Sequence, residues 1–183
     1  LSVIFLILIC VVANVRAAEY LISPQATTAG EIVKYKEVGY TVGVNAFADF
    51  ASFLATEIEA NSTVYVADGK YAGNITISTD GLKFFGNNAF RDWTVTRSEE
   101  SIITGTIYIK ASNITINGFK FTEGGRIEST AGTNASPLSG IKVLYNYFAE
   151  STVKRGTSTP LVEIGNVVAN ADAVRNGQIY EVP

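Results

Sequence analysis

Leu82-Lys-Phe-Phe-Gly-Asn87, Ile114-Thr-Ile-Asn-Gly-Phe119 and Ile141-Lys-Val-Leu-Tyr-Asn146 align with one another, each carrying apolar residues at its first and third places. Successive copies are offset by 32 and 27 residues, and each interval holds a polar stretch that suits a loop. Asn74-Ile-Thr-Ile77 and Asn113-Ile-Thr-Ile116 form a second echo. Short strands without intervening helices fit a sandwich, a barrel or a solenoid, and self-similarity favours the last. A coil of three short strands accounts for both echoes. Each coil stacks on the one before and buries its inward Ile, Val, Leu and Phe in one column.

Outward from these segments the alternation continues. Strands are expected at Thr63–Ala67, Asn74–Ser78, Leu82–Phe85, Ser101–Thr104, Thr106–Lys110, Asn113–Ile116, Phe119–Thr122, Gly140–Leu144 and Leu161–Ile164. Asp68-Gly69, Asp80-Gly81, Gly86-Asn87-Asn88, Gly105, Asn117-Gly118 and Gly124-Gly125 supply the turns between them. Upstream the period becomes helical. Phe47, Phe50, Leu54 and Ile58 share one face, Phe53 widens it, Asn45 can cap the start and Asn61 ends the run. A helix over 45–60 is therefore expected to plug the open apolar end of the first coil, which would otherwise expose unpaired edges. Residues 18–44 are a weakly patterned lead-in, with possible strands at Ile32–Tyr35 and Tyr40–Val44. The coils occupy 61–183.

Leu1 to Val12 is almost unbroken apolar sequence, too short to span a bilayer comfortably. It fits the apolar region of a signal peptide, with Val15-Arg16-Ala17 or Arg16-Ala17-Ala18 as the cleavage site. Export is expected, to the extracellular space, the cell surface or the periplasm, with no membrane span after cleavage. Cys10, the single cysteine, falls inside this leader, so the mature chain holds no disulfide. The chain has no Met, even at position 1, and no recognisable closing element after Asn176. A truncated start and further coils beyond Pro183 are expected. With 17% charged residues, a net charge of −3 and 14 scattered Lys and Arg, the chain lacks the basic footprint of a nucleic-acid binder. The absence of His removes the usual general base and the commonest zinc ligand.

Phe50 to Ala60, Thr63-Val-Tyr-Val-Ala-Asp-Gly-Lys-Tyr71 and Asn74-Ile-Thr-Ile77 together resemble the opening of the pectin lyase-like β-helices. In that opening a cap helix leads to a V-Y-V-x-x-G-x-Y turn and the first strands. Leu82 to Asn88, Ser101 to Ile109 and Asn113 to Phe121 continue the resemblance, which spans about Asn45 to Phe148. It implies an all-β, right-handed parallel β-helix with an N-terminal amphipathic capping helix. Pectin methylesterases, polysaccharide lyases and non-catalytic surface proteins share that architecture, so function must be argued from a site.

An esterase of this kind would need two carboxylates on one strand face, one as nucleophile and one as acid/base. Asp68, Asp80, Asp92 and Asp172 stand instead in turns or loops. A lyase would need acids converging on calcium, so Ca2+ is the one cofactor the resemblance admits, and no metal ligands are evident. Glu99-Glu100 are adjacent, would point to opposite faces of a strand, and read as a solvated loop. Lys120, Glu123 and Arg126, around Gly124-Gly125, could form a polar site at a strand end. Tyr145, Tyr147 and Phe148 could stack on sugars, although alternation buries about half of such residues. Trp93, in a lateral loop, suits sugar stacking best. Asn61-Ser-Thr, Asn74-Ile-Thr, Asn113-Ile-Thr and Asn134-Ala-Ser are glycosylation sequons, which chance explains in a chain this rich in Asn and Thr. Two functions follow as expectations: an exported, monomeric protein acting on or binding polysaccharide, with catalytic residues outside this chain if it is an enzyme, or a non-catalytic surface adhesin.

Overall fold

The computed structural model describes residues 17–92, 95–129, 138–149, 153–155 and 161–168. They form an all-β structure with one short helix. In chain order the elements are β1 (Glu19–Ile22), β2 (Ile32–Tyr35), β3 (Val38–Thr41), β4 (Ala46–Phe47), α1 (Phe50–Leu54), β5 (Thr63–Val66), β6 (Gly69–Tyr71), β7 (Ile75–Ile77) and β8 (Lys83–Phe85). Then follow β9 (Ser101–Ile103), β10 (Thr106–Ile109), β11 (Thr115–Asn117), β12 (Lys120–Phe121), β13 (Arg126–Ser129), β14 (Ile141–Leu144), β15 (Tyr147–Phe148), β16 (Val153–Arg155), β17 (Leu161–Ile164) and β18 (Val167–Val168).

Three parallel sheets hold all but the β2–β3 hairpin. The first runs β17-β14-β11-β8-β5-β1-β4, the second β16-β13-β10-β7 and the third β18-β15-β12-β9-β6. From β5 onward the chain visits first, third and second sheet in fixed order, so each strand lies beside the one laid down a circuit earlier. Phe84 pairs with Ile116 and Ile116 with Val143, at the offsets of the aligned segments.

Register makes the core. Tyr20, Val64, Phe84, Ile116 and Val143 stand in line on the inner side of the first sheet. Ile75, Ile107 and Ile127 do so in the second, and Tyr71, Ile103, Phe121 and Phe148 in the third. All are buried. Phe121 and Phe148 stack with centroids 4.6 Å apart and planes 12° off parallel. Each such side chain contributes on the order of 1.5–3 kcal/mol of burial. Tyr71 keeps its hydroxyl satisfied inside this core, donating to the carbonyls of Ala67 and Ile22 at 3.0 and 3.2 Å.

One corner explains two pairs of residues that spacing alone does not. Asn61, Gly81, Asn113 and Gly140 precede four successive strands of the first sheet, and all have positive φ, between 60° and 77°. A Cβ on Gly81 would lie 2.2 Å from the Asn61 side-chain oxygen, and one on Gly140 2.2 Å from that of Asn113. Asn tolerates the left-handed conformation but brings an amide, so the neighbouring circuit must offer glycine.

The N-terminal end departs from expectation in two ways. The helix spans Phe50–Leu54 rather than 45–60, and Asp49 rather than Asn45 caps it. Asn45 instead accepts the Thr41 N–H on its side-chain oxygen at 2.7 Å, closing a turn. Ala46 and Phe47 then pair with Leu21 and Ile22 as a strand. The apolar stripe was real, but Phe47 reaches the core from β4, and the partly buried Ile58 packs on it from beyond the helix. Phe50 and Phe53 seat α1 on the core. Phe53 meets Tyr20, Phe47 and Phe84, and Phe50 meets Tyr71, at centroid distances of 5.3–6.3 Å. Residues 18–44, expected as a lead-in, supply an interior strand of the first sheet, next to its edge. β1 sits between β5 and β4, so α1 follows the first strand rather than preceding it. The β2–β3 hairpin matches the expected strand at Ile32–Tyr35, and its second strand begins at Val38 rather than Tyr40.

Asp49 and Ser52 form a reciprocal cap, with the Ser52 N–H donating to the Asp49 carboxylate at 2.8 Å. That backbone bond, and then the Ser52 hydroxyl, hold the Asp49 carboxyl below its ordinary value of 3.8. The cap is therefore complete above that ordinary value and is lost as pH falls through the lowered folded one. Asp49→Ala is expected to cost about 1 kcal/mol at neutral pH. Urea melts of variant and wild type should converge in acid, and a gap that stayed constant with pH would contradict this role.

Candidate functional site

Outward positions are as regular as inward ones. On the third sheet Lys70, Ile102, Lys120, Tyr147 and Val167 stand in register. On the first sheet one ladder carries Thr63, Lys83, Thr115, Lys142 and Val162, and a second carries Tyr65, Phe85, Asn117, Leu144 and Ile164. Residues 86–92 and 95–100, between β8 and β9, stand against the corner joining these two sheets.

Arg97 pins that segment. Its guanidinium holds the Glu100 carboxylate with two bonds, Nε to Oε1 at 2.9 Å and Nη2 to Oε2 at 3.1 Å. Nη1 donates to the Tyr145 carbonyl at 2.9 Å, and Nη2 also reaches the carbonyls of Gly118 and Phe119 at 3.4 Å. Asn88, itself buried, donates to Glu100 Oε2 at 3.0 Å and to the Ser98 carbonyl at 3.1 Å. The expectation of a solvated Glu99-Glu100 pair is corrected here. Glu99 is exposed, but Glu100 lies within this network because the planar guanidinium satisfies both its oxygens.

Against this wall lies a pocket of about 350 Å³ lined by Val95, Thr96, Arg97, Glu100, Lys120, Tyr147 and Val167. Lys120 Nζ stands 5.7 Å from the centre of the Tyr147 ring, within the range of a cation–π contact. The pocket thus offers an aromatic face, a cation, and the Thr96 and Tyr147 hydroxyls. It can hold a ring with one apolar side and polar substituents.

The five residues singled out from sequence go to different places. Lys120 lines the pocket. Glu123 leaves it, forming an exposed 2.7 Å ion pair with Lys70. Arg126 opens β13 in the second sheet and pairs with Glu128 at 2.7 Å. These ion pairs draw Glu123 and Arg126 away from the single polar cluster expected with Lys120. Tyr145 contributes its carbonyl to Arg97, while its ring lies 6.5 Å from that of Phe90. Trp93 lies outside the described residues, as do residues 1–16 with the expected leader, Asp172 and the Asn134 sequon. Of the aromatic trio, Phe148 is core, as alternation allows, and Tyr147 is half-buried in the pocket.

Two features escaped the sequence. One is the Arg97–Glu100 pair, whose three-residue spacing was a usable signal. The other is a buried pair of asparagines at the corner after β14 and β17. Asn146 takes the Phe119 N–H on its Oδ1 at 2.9 Å and donates its Nδ2 to the Ile116 carbonyl at 3.0 Å. It also donates to Asn166 Oδ1, from its N–H at 2.9 Å and from Nδ2 at 3.2 Å, and Asn166 Nδ2 donates to the Val143 carbonyl at 2.7 Å. Both stand two residues past the end of a first-sheet strand.

Among the described residues no group of three or more His, Cys, Asp or Glu side chains could hold a metal ion, and no helix is long and apolar enough to cross a membrane. Comparison of the chain with protein-family models, with curated proteins and with solved structures finds no match.

Proposed function

We propose that this chain winds as a right-handed parallel β-helix of the pectin lyase-like kind, is exported, and binds or acts on polysaccharide through its outer faces. The fixed order of visits to three parallel sheets supports the winding, and parallel crossover connections are right-handed in about 98% of cases. The apolar run at Leu1–Val12 supports export. The observation that carries the function is the pocket in which Lys120 stands over Tyr147 beside Thr96. A sugar ring offers such a pocket an apolar C–H face for the phenol and hydroxyl or acid groups for the lysine.

Binding without cleavage is favoured over catalysis within the described residues by the state of three carboxylates. Glu100, Glu123 and Glu128 are each held by a cation at 2.7–2.9 Å, which favours the ionised form and so disfavours the general acid that cleavage needs beside its nucleophile. Affinity electrophoresis through gels containing pectin, alongside assays for methanol and unsaturated products, tests both branches. Retarded migration is expected, with Lys120→Ala weakening it several-fold through loss of roughly 1 kcal/mol. Methanol or unsaturated product would transfer the assignment to the enzyme branch. A folded protein that migrates freely and cleaves nothing would overturn the proposal.

A further inference from the structure

The β2–β3 hairpin belongs to none of the three parallel sheets, and a two-stranded ribbon is marginal on its own. It is seated by Tyr35 and Tyr40, whose rings lie 6.0 and 6.5 Å from that of Tyr65 in β5. Lys36 and Glu37 form its two-residue turn, both with positive φ, which makes Tyr35 and Val38 the last pair of the ribbon. Turn length thereby fixes which side of the ribbon carries Tyr35, since a slip of one residue would send its ring to the other face. The phenol ends on Asn87, donating to the side-chain Oδ1 at 3.1 Å across 52 residues of sequence. Burial, and then the Asp68 carboxylate, push the hydroxyl up to about 12, so it keeps its proton across the neutral range.

Asn87 carries that contact to the pocket. Its Nδ2 donates to the Glu99 carbonyl at 2.7 Å, and its N–H to Ser101 Oγ at 2.8 Å. The Ser101 hydroxyl meets the carbonyls of Val66 and Ala67 at 2.8 and 2.9 Å, which fixes the Asn87 backbone to the corner after β5. The Glu99 carbonyl can only accept, so the amide must face it with Nδ2, leaving Oδ1 for the Tyr35 donor. Glu99 has φ of 53°, a left-handed conformation that a residue with a side chain holds at a cost. That reversal separates the exposed Glu99 from Glu100, whose carboxylate Arg97 grips. Arg97, with Val95 and Thr96, is in turn the pocket wall. Without the Tyr35 hydroxyl, Oδ1 loses its donor and the amide can turn away from Glu99 toward water.

We propose that Tyr35 is a positioning residue for the pocket: through Asn87 it locks the reversal at Glu99, and the β2–β3 hairpin is the strap that holds the base of the Val95–Arg97 wall. The effect on binding rests on the polysaccharide function proposed above; the strap does not. The wall is then fastened from two sides. Arg97 ties it forward, to the carbonyls of Gly118, Phe119 and Tyr145 in later circuits. Tyr35 ties it backward, to a ribbon laid down before β5. The Glu100 carbonyl lies between the two ties and accepts the Gly69 N–H at 3.0 Å, so that amide reports whether the base of the wall is held.

Tyr35→Phe keeps the ring against Tyr65 and removes only the hydroxyl. Hydrogen exchange at Gly69 is expected to quicken about fivefold in this variant, and retardation in pectin gels to weaken by a similar factor. Asn87→Ala should weaken retardation at least as much, and adding Tyr35→Phe to it should cost nothing further, because both act through one bond. Tyr40→Phe is the control, since it removes a hydroxyl from the same hairpin that lies outside this chain of bonds, and it should match the wild type in both readouts. Wild-type exchange at Gly69 in Tyr35→Phe overturns the strap. So does a loss in Tyr40→Phe equal to that in Tyr35→Phe, which would assign the effect to hairpin packing at large. Additive losses in the double variant overturn the route through Asn87. A wild type that migrates freely overturns the proposed function, and exchange at Gly69 then decides the strap by itself.

Discussion

Arg97→Ala is expected to destabilise the protein by about 3–5 kcal/mol, the largest effect of any single charged-residue change among the described residues. The guanidinium and its Glu100 partner are only 10% and 15% exposed, so removing the cation leaves a largely desolvated carboxylate. It also strips a donor from the Tyr145, Gly118 and Phe119 carbonyls. Arg97→Lys should recover little, because a point ammonium cannot reach both carboxylate oxygens and a carbonyl on the opposite side. Glu100→Ala alone should be costly too, and the double variant less costly than the sum, since neither partner is then left alone. Because Val95, Thr96 and Arg97 form the wall opposite Lys120, the same change should also abolish ligand retardation under conditions where the core remains folded. Denaturant melts of the four proteins in the cycle check the first claim and affinity electrophoresis the second. An Arg97→Ala protein within 1 kcal/mol of wild type would refute the pinning role.

Asn146→Leu should cost about 3–5 kcal/mol, from two or three buried groups losing partners at roughly 1–3 kcal/mol each. The side chain is 1% exposed and almost isosteric with leucine, so lost volume contributes little. What is lost is the acceptor for the Phe119 N–H and the donor to the Ile116 carbonyl and to Asn166. Hydrogen exchange should rise first at Phe119, whose amide this bond holds at the corner. If thermal melts placed Asn146→Leu within 1 kcal/mol of wild type, the corner would be held by backbone register alone.

The repeat of period-two segments was legible because inward side chains are mostly apolar from circuit to circuit. Leu82, Ile114 and Ile141 therefore recur even while the intervening loops change length. The helix was misjudged for a related reason. Phe47, Phe50, Leu54 and Ile58 are apolar because they face one core, and a helical stripe and a strand-turn-helix succession leave the same mark. Tyr20-Leu-Ile22 is too short an apolar run to stand out from the weakly patterned lead-in around it.

Alternation along the chain is a local property, so the residues alone settled which side chains point inward and that the structure would be built from short strands. Pairing between circuits is not local. Lys70 meets Glu123 across 53 residues and Arg97 meets the Tyr145 carbonyl across 48. Those encounters depend on how many residues each loop inserts, a quantity that shifts register by whole circuits without altering the pattern of any strand. Only the tertiary structure could therefore decide that Lys120 would face Tyr147 and that Glu123 and Arg126 would turn to other partners.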